Sequence, residues 1–152
     1  MSPTAKNRTV LVIDDDEPFR AALRELLEER GLAVRTASDA FDAMRELDQG
    51  EFDAIFSDIR MPGGGFKILE QARQRELRTP LIFITGSTSA EWKAKADAEG
   101  AFDYLQKPVG KEQILTVLRR ALERGRGPSD LAARAMPSGD ARPEPMRAGA
   151  RR

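Results

Sequence analysis

The chain has 152 residues, room for one domain around one core. Lys plus Arg number 25 and Asp plus Glu number 25, so the formal net charge is zero, which excludes a chain whose main task is to coat nucleic acid or an anionic membrane. There is no Cys and no His, which excludes disulfides, thiolate nucleophiles, imidazole bases and nearly every structural zinc site.

After an N-terminal arm over residues 1–8, residues 10–13 (Val-Leu-Val-Ile) form a short continuous apolar run, the pattern of a strand covered on both faces. A helix follows, with Phe19, Ala22, Leu23, Leu26 and Leu27 on one stripe. Asp16 can cap it, Pro18 sits in its first turn and Gly31 ends it. Residues 32–35 read as a second, more polar strand. Ser38 is expected to cap a helix carrying Ala40, Ala43, Met44 and Leu47, stopped by Gly50. Residues 54–56 make the third strand and 66–76 the third helix. Residues 81–84 (Leu-Ile-Phe-Ile), after Pro80, form the most apolar strand. Residues 90–99 read as a helix ended by Gly100, with Trp92 as a half-buried packing residue. Residues 102–105 are the fifth strand. A last helix over 111–124 closes the body, with Ile114, Val117, Leu118, Ala121 and Leu122 as its stripe.

From Gly125 the composition changes to Gly, Pro, Ala and Arg with few large apolar residues. Such a stretch cannot bury enough surface to offset its ordering entropy, so residues 125–152 are expected to be a disordered tail. The tail holds six Arg against three acids (Asp130, Asp140 and Glu144), a net of +3 that leaves the body at −3.

Strict alternation of five strands and five helices predicts an α/β domain with a doubly wound parallel sheet. Sites in such sheets form at the carboxyl ends of the strands. After strand one stand Asp14, Asp15 and Asp16; after strand three, Asp58 and then Ile59, Arg60, Met61 and Pro62; after strand four, Thr85; after strand five, Lys107 and Pro108. Clustered carboxylates repel unless a cation joins them, and hard oxygen ligands suit Mg²⁺. A nearby Lys neutralises surplus charge and a Thr hydroxyl adds a short donor. Together these groups suit the handling of a phosphoryl group, where positioning and charge stabilisation carry most of the catalysis.

The runs VLVIDDDEPFR, SDIRMP, IFITGS and AFDYLQKP resemble, in order and spacing, the receiver domain of two-component response regulators, over roughly residues 8–124. The resemblance implies a flavodoxin-like fold with strand order 2-1-3-4-5, of the stand-alone, chemotaxis-regulator-like type. It implies that Asp58 accepts a phosphoryl group from a partner histidine kinase or histidine phosphotransfer protein. Asp14, Asp15, Asp58 and the backbone carbonyl of Arg60 would hold Mg²⁺ or Mn²⁺. Thr85 and Lys107 would stabilise the phosphoryl group, Tyr104 would follow Thr85 as a switch, and the Lys107–Pro108 bond would be cis. The missing His fits, since the phosphohistidine belongs to the partner. Where the family usually has Gly, a variable residue, Asp and Gly after Met-Pro, this chain has Gly63-Gly64-Gly65-Phe66, one residue shorter and without the acid. Three consecutive glycines predict a loose turn.

Two alternatives stand beside this reading. A haloacid-dehalogenase-like phosphatase could use Asp14 and Asp16, but it needs a late acidic pair, and Glu112 and Glu123 lie in the last helix instead. A pseudo-receiver would work only as a phosphorylation-independent binding module, yet such modules generally lose the acidic pair, the acceptor or the Lys, all present here. The sequence therefore predicts a phosphoacceptor switch that is not a conventional enzyme, beyond self-phosphorylation and slow autodephosphorylation. With no apolar run near the roughly 20 residues of a bilayer span and no secretory signal, it is expected to be cytoplasmic and without a membrane partner. No DNA-binding module follows the body, so output is expected through a downstream protein, from a monomer or a phosphorylation-dependent dimer.

Overall fold

The structure, a computed structural model, describes residues 8–87 and 89–135, with side chains up to residue 124. Its elements are β1 (Thr9–Ile13), α1 (Glu17–Glu28), β2 (Ala33–Ala37), α2 (Ala40–Gln49), β3 (Ala54–Ser57), α3 (Gly65–Gln74), β4 (Leu81–Thr85), α4 (Ala90–Ala98), β5 (Asp103–Gln106) and α5 (Lys111–Ala135). All four strand pairings are parallel, in the order β2-β1-β3-β4-β5. This is the doubly wound parallel sheet the sequence predicts, in the flavodoxin-like order the resemblance implies.

Alternate residues of each strand feed two cores, because side chains alternate across a pleated strand. Val10, Val12, Ala54, Phe56, Ile82 and Ile84 face α1 and α5, where Leu23, Leu27, Val117, Leu118 and Ala121 are buried against them. Leu11, Ile13, Ile55, Leu81 and Phe83 face the other side, against Ala43 of α2, Ile68 and Leu69 of α3 and Ala96 of α4. Coverage on both faces is why the central strands read as unbroken apolar runs. Trp92 is half-buried on the second core, edge-on to Phe66 with ring centroids 6.3 Å apart.

Most boundaries shift by one or two residues from the sequence reading, and three departures concern β2, the cap of α2 and the end of α5. β2 covers Ala33–Ala37 rather than residues 32–35, because pairing with β1 sets its ends: Thr9 stands opposite Ala33 and Ile13 opposite Ala37. The cap of α2 is Asp39 rather than Ser38; Asp39 Oδ1 accepts from the Asp42 amide at 2.8 Å, while the Ser38 hydroxyl donates to the Asp42 carboxylate at 3.3 Å. The last helix runs to Ala135 rather than ending at Arg124, so residues 125–135, expected to be disordered, are helical. Leu131, Ala132, Ala133, Arg134 and Ala135 favour that extension, while Gly125, Gly127 and Pro128 weigh against it. The arm before Arg8 and the tail beyond Ala135 lie outside the described residues.

Among the described residues, no helix is long and apolar enough to cross a membrane.

Candidate functional site

Strands β1, β3, β4 and β5 each deliver at least one side chain to the carboxyl edge of the sheet, and backbone hydrogen bonds extend the ladders to hold it there. The amide of Asp14 donates to the Ala37 carbonyl at 3.1 Å, and the amide of Asp58 to the Ile13 carbonyl at 2.9 Å. The amide of Lys107 donates to the Thr85 carbonyl at 2.8 Å, and the Lys107–Pro108 bond is cis. Asp16 turns the chain into α1, its carboxylate accepting from the Phe19 amide at 3.3 Å. The guanidinium of Arg20 in turn donates to the Asp14 carbonyl at 2.7 Å.

The acids converge. One carboxylate oxygen from each of Asp14, Asp15 and Asp58 can lie within 4.8 Å of the others. Asp14 is 1% exposed and Asp58 8%, whereas Asp15 is exposed at the mouth. Lys107 Nζ donates to Asp14 Oδ2 at 2.8 Å and to Asp58 Oδ2 at 3.3 Å. Asp58 Oδ1 accepts from the amides of Ile59 and Arg60 at 2.6 and 3.2 Å, and the buried Ser57 hydroxyl donates to the Asp58 carbonyl at 2.8 Å. The acceptor candidate is thus gripped from both sides.

Burial pushes the Asp14 carboxyl above its ordinary 3.8; the Lys107 ammonium and the Asp16 amide oppose that rise, and the charge of Asp58 adds to it. For Lys107, burial lowers the ammonium, but the hydrogen bond to Asp14 and the charges of Asp58 and Asp14 together outweigh it, and the net direction is upward from 10.5. A single ammonium does not balance three carboxylates. An acid whose folded pKa is raised contributes stability in its protonated form, fully below about pH 4 and lost as pH rises through the raised value. Ionised Asp14 therefore destabilises the metal-free fold at neutral pH. Asp14→Asn is expected to raise the melting temperature of EDTA-treated protein at pH 7 by a few degrees, with the gain shrinking toward pH 4. A calorimetric scan at both pH values checks it.

The donor set, three ionisable carboxylates with one at the surface, fits a hard divalent cation such as Mg²⁺.

Thr85 is fully buried at the end of β4, its Oγ accepting from the Ser87 amide at 3.3 Å. Tyr104 lies on β5 opposite Phe83, ring edge to ring face at 6.5 Å between centroids. Its hydroxyl is enclosed beside Ser87 without a well-formed hydrogen bond, and burial, together with the Asp58 charge, raises its pKa. Arg60 is exposed and meets Asp58 through its amide.

Sequence reasoning missed two neighbours. Phe19, read only as part of the α1 stripe, places its ring centroid 4.2 Å from Lys107 Nζ. Arg20 was given no role. The only signal was position, since both stand in the first turn after the acidic run. The Gly63–Gly65 turn is not loose. The Gly64 amide donates to the Met61 carbonyl at 2.8 Å, the Gly65 amide to Ile59 at 3.0 Å, and the Ala40 amide to Pro62 at 3.0 Å. Gly63 and Gly64 both take positive φ, +87° and +81°, which side chains rarely adopt.

Comparison with known proteins agrees with this geometry. The family model of the response regulator receiver domain matches residues 10–119. The chain is 40% identical over 131 residues to the C4-dicarboxylate transport transcriptional regulatory protein DctD of Pseudomonas aeruginosa, covering 81% of this chain and 28% of that one. It spans about a quarter to a half of the length of the curated relatives it matches. Among solved structures, the receiver domain protein from Clostridium thermocellum is similar with a TM-score of 0.74 at 30% identity, over 78% of this chain and 97% of that one. The chemotaxis response regulator CheY4 of Vibrio cholerae gives 0.70 at 34%, over 76% and 98%. With the five-stranded order, the acidic edge and a family match over 110 of 152 residues, the chain belongs to the response regulator receiver domains of two-component systems.

Proposed function

We propose that this receiver accepts a phosphoryl group on Asp58 from a histidine kinase or histidine phosphotransfer protein and signals by protein contact. The observation that carries the reading is Lys107 Nζ bridging Asp14 and Asp58, with Asp15 within reach of both. Asp14, Asp15, Asp58 and the Arg60 carbonyl would hold Mg²⁺ or Mn²⁺, which when bound supplies the positive charge that the acids and a phosphoryl group require. Lys107 neutralises one phosphoryl oxygen and Thr85 donates to another. The absence of a spanning helix in the described residues and the family together support a cytoplasmic site of action. Mg²⁺-dependent labelling of Asp58 by an acyl phosphate, read by intact mass, tests the reading.

Signalling needs two arrangements that differ in contacts, since a ligand shifts only an equilibrium it distinguishes. Thr85 is fully buried one pleat from the Phe83–Tyr104 ring pair. When its hydroxyl turns to a phosphoryl oxygen it releases the Ser87 amide, changing the surroundings of the Tyr104 hydroxyl. Thr85→Ala is therefore expected to keep phosphorylation within about threefold of wild type. It should reduce the phosphorylation-dependent gain in partner binding by about tenfold, one hydrogen bond to a charged group. Titration calorimetry of both forms with a captured partner measures this; an undiminished gain removes Thr85 from the switch.

A further inference from the structure

Phe19 stands in the first turn of α1, half-buried, packed against the core shared by α1 and α5. Packing alone would accept any large apolar residue there. The Lys107 ammonium, however, lies 4.2 Å from the ring centroid while donating to Asp14 at 2.8 Å and Asp58 at 3.3 Å. An ammonium has three N–H groups and no acceptor. Two go to carboxylates, and the ring face covers the remaining side. Such contacts strengthen as water is excluded, and the Lys107 side chain is 20% exposed. The backbone that carries the ring is tied to the strand end it serves. Asp16 accepts from the Phe19 amide, and Arg20, the next residue, holds the Asp14 carbonyl.

We propose that Phe19 is a positioning residue for phosphoryl acceptance, its ring face holding the Lys107 ammonium between Asp14 and Asp58. This rests on the reading that Asp58 is the acceptor. In the transfer from acetyl phosphate, the phosphorus–oxygen bond of the donor breaks, its electron pair leaves on acetate, and an Asp58 oxygen forms the new bond to phosphorus. Lys107 keeps its proton throughout and Phe19 touches no reacting atom. An aliphatic side chain would fill the same space but leave the third N–H to water, and the ammonium would wander.

The test is the rate of Asp58 phosphorylation with Mg²⁺ and acetyl phosphate. Phe19→Leu should lower the maximal rate about three- to fivefold without changing the donor concentration that gives half that rate. Phe19→Tyr, which keeps a ring, should restore it. In a Lys107→Ala background, Phe19→Leu should change nothing further. The Lys107 ε-methylene protons should show an upfield ring-current shift by NMR in wild type and Phe19→Tyr, lost in Phe19→Leu. A wild-type rate in Phe19→Leu, or equal slowing in the Lys107→Ala background, overturns the proposal. Failure of wild type to form any adduct at Asp58 overturns the acceptor reading as well, and so the two failures are told apart.

Discussion

Incubated with Mg²⁺ and acetyl phosphate, the wild-type protein is expected to gain one phosphoryl group on Asp58, and Asp58→Asn none. The donor tests the site without its kinase, because the fold itself positions the carboxylate, the ammonium and the acids. Intact-mass spectrometry should show a single adduct, labile to alkali as acyl phosphates are, and peptide mapping should place it on Asp58. An amide is no nucleophile, so the Asn variant should be silent. The electrostatics sets the size of the metal effect. Two like charges about 4 Å apart at an effective dielectric of about 20 repel by about 4 kcal/mol, which is about a thousandfold in rate. Asp15→Ala or EDTA should slow acceptance by about that factor. Lys107→Ala should slow it only about tenfold, because the divalent cation carries most of the neutralising charge. Turnover of donor without an adduct would indicate a phosphatase, and no adduct under any metal would indicate a binding module.

The second large effect is expected from Gly65→Ala at the start of α3. A Cβ there would fall 2.2 Å from the Asp58 carbonyl oxygen, 2.9 Å from Ile59 Cα and 3.1 Å from the Asp58 carbonyl carbon. All three are backbone atoms of the segment that aims the acceptor, and none can swing away as a side-chain tip could. Either α3 or the segment after β3 must shift. Overpacking of this kind costs about 2–3 kcal/mol, and misplacing a reacting group by about 1 Å can cost about a hundredfold in rate. The urea midpoint and the rate of Asp58 labelling should fall together. Gly50→Ala, with open space and extended backbone at φ −163°, is the control and should change neither. Retention of both stability and rate in Gly65→Ala would show that the close approach at α3 is not needed.

The parts of the fold that were legible are those whose cause is local. β1, β3 and β4 are buried on both faces, so their apolar runs announce them, and α1 and α5 carry one apolar stripe each. β2 is an edge strand with Ala33 and Arg35 exposed and Val34 and Ala37 buried. Its own pattern is therefore weak and its ends come from its partner. Ser38 and Asp39 can both cap, and only the direction of the backbone chooses between them. At the site, Asp14, Asp15, Asp58, Thr85 and Lys107 could be found because each stands at or just past the carboxyl end of a strand. Phe19 and Arg20 could not. Their contacts depend on the angle at which α1 leaves β1, a three-dimensional fact written in no spacing. The glycine turn misled for a related reason, since its tightness comes from hydrogen bonds to Ile59 and to Ala40 on another helix.

The ion pair between Asp14 and Lys107 joins residues 93 positions apart. At about 5–20 residues per second, a ribosome needs roughly 5–20 s to pass from one to the other. Toward the end of that interval β4 is made and keeps a bare edge until its neighbour β5 follows, and a bare edge is a template for pairing with other chains. Docking β5 closes that edge and carries Lys107 to the acids in the same movement. What remains at the rim is β5, shorter and more polar than β4, so the site gains its ammonium in the step that hides the most apolar strand.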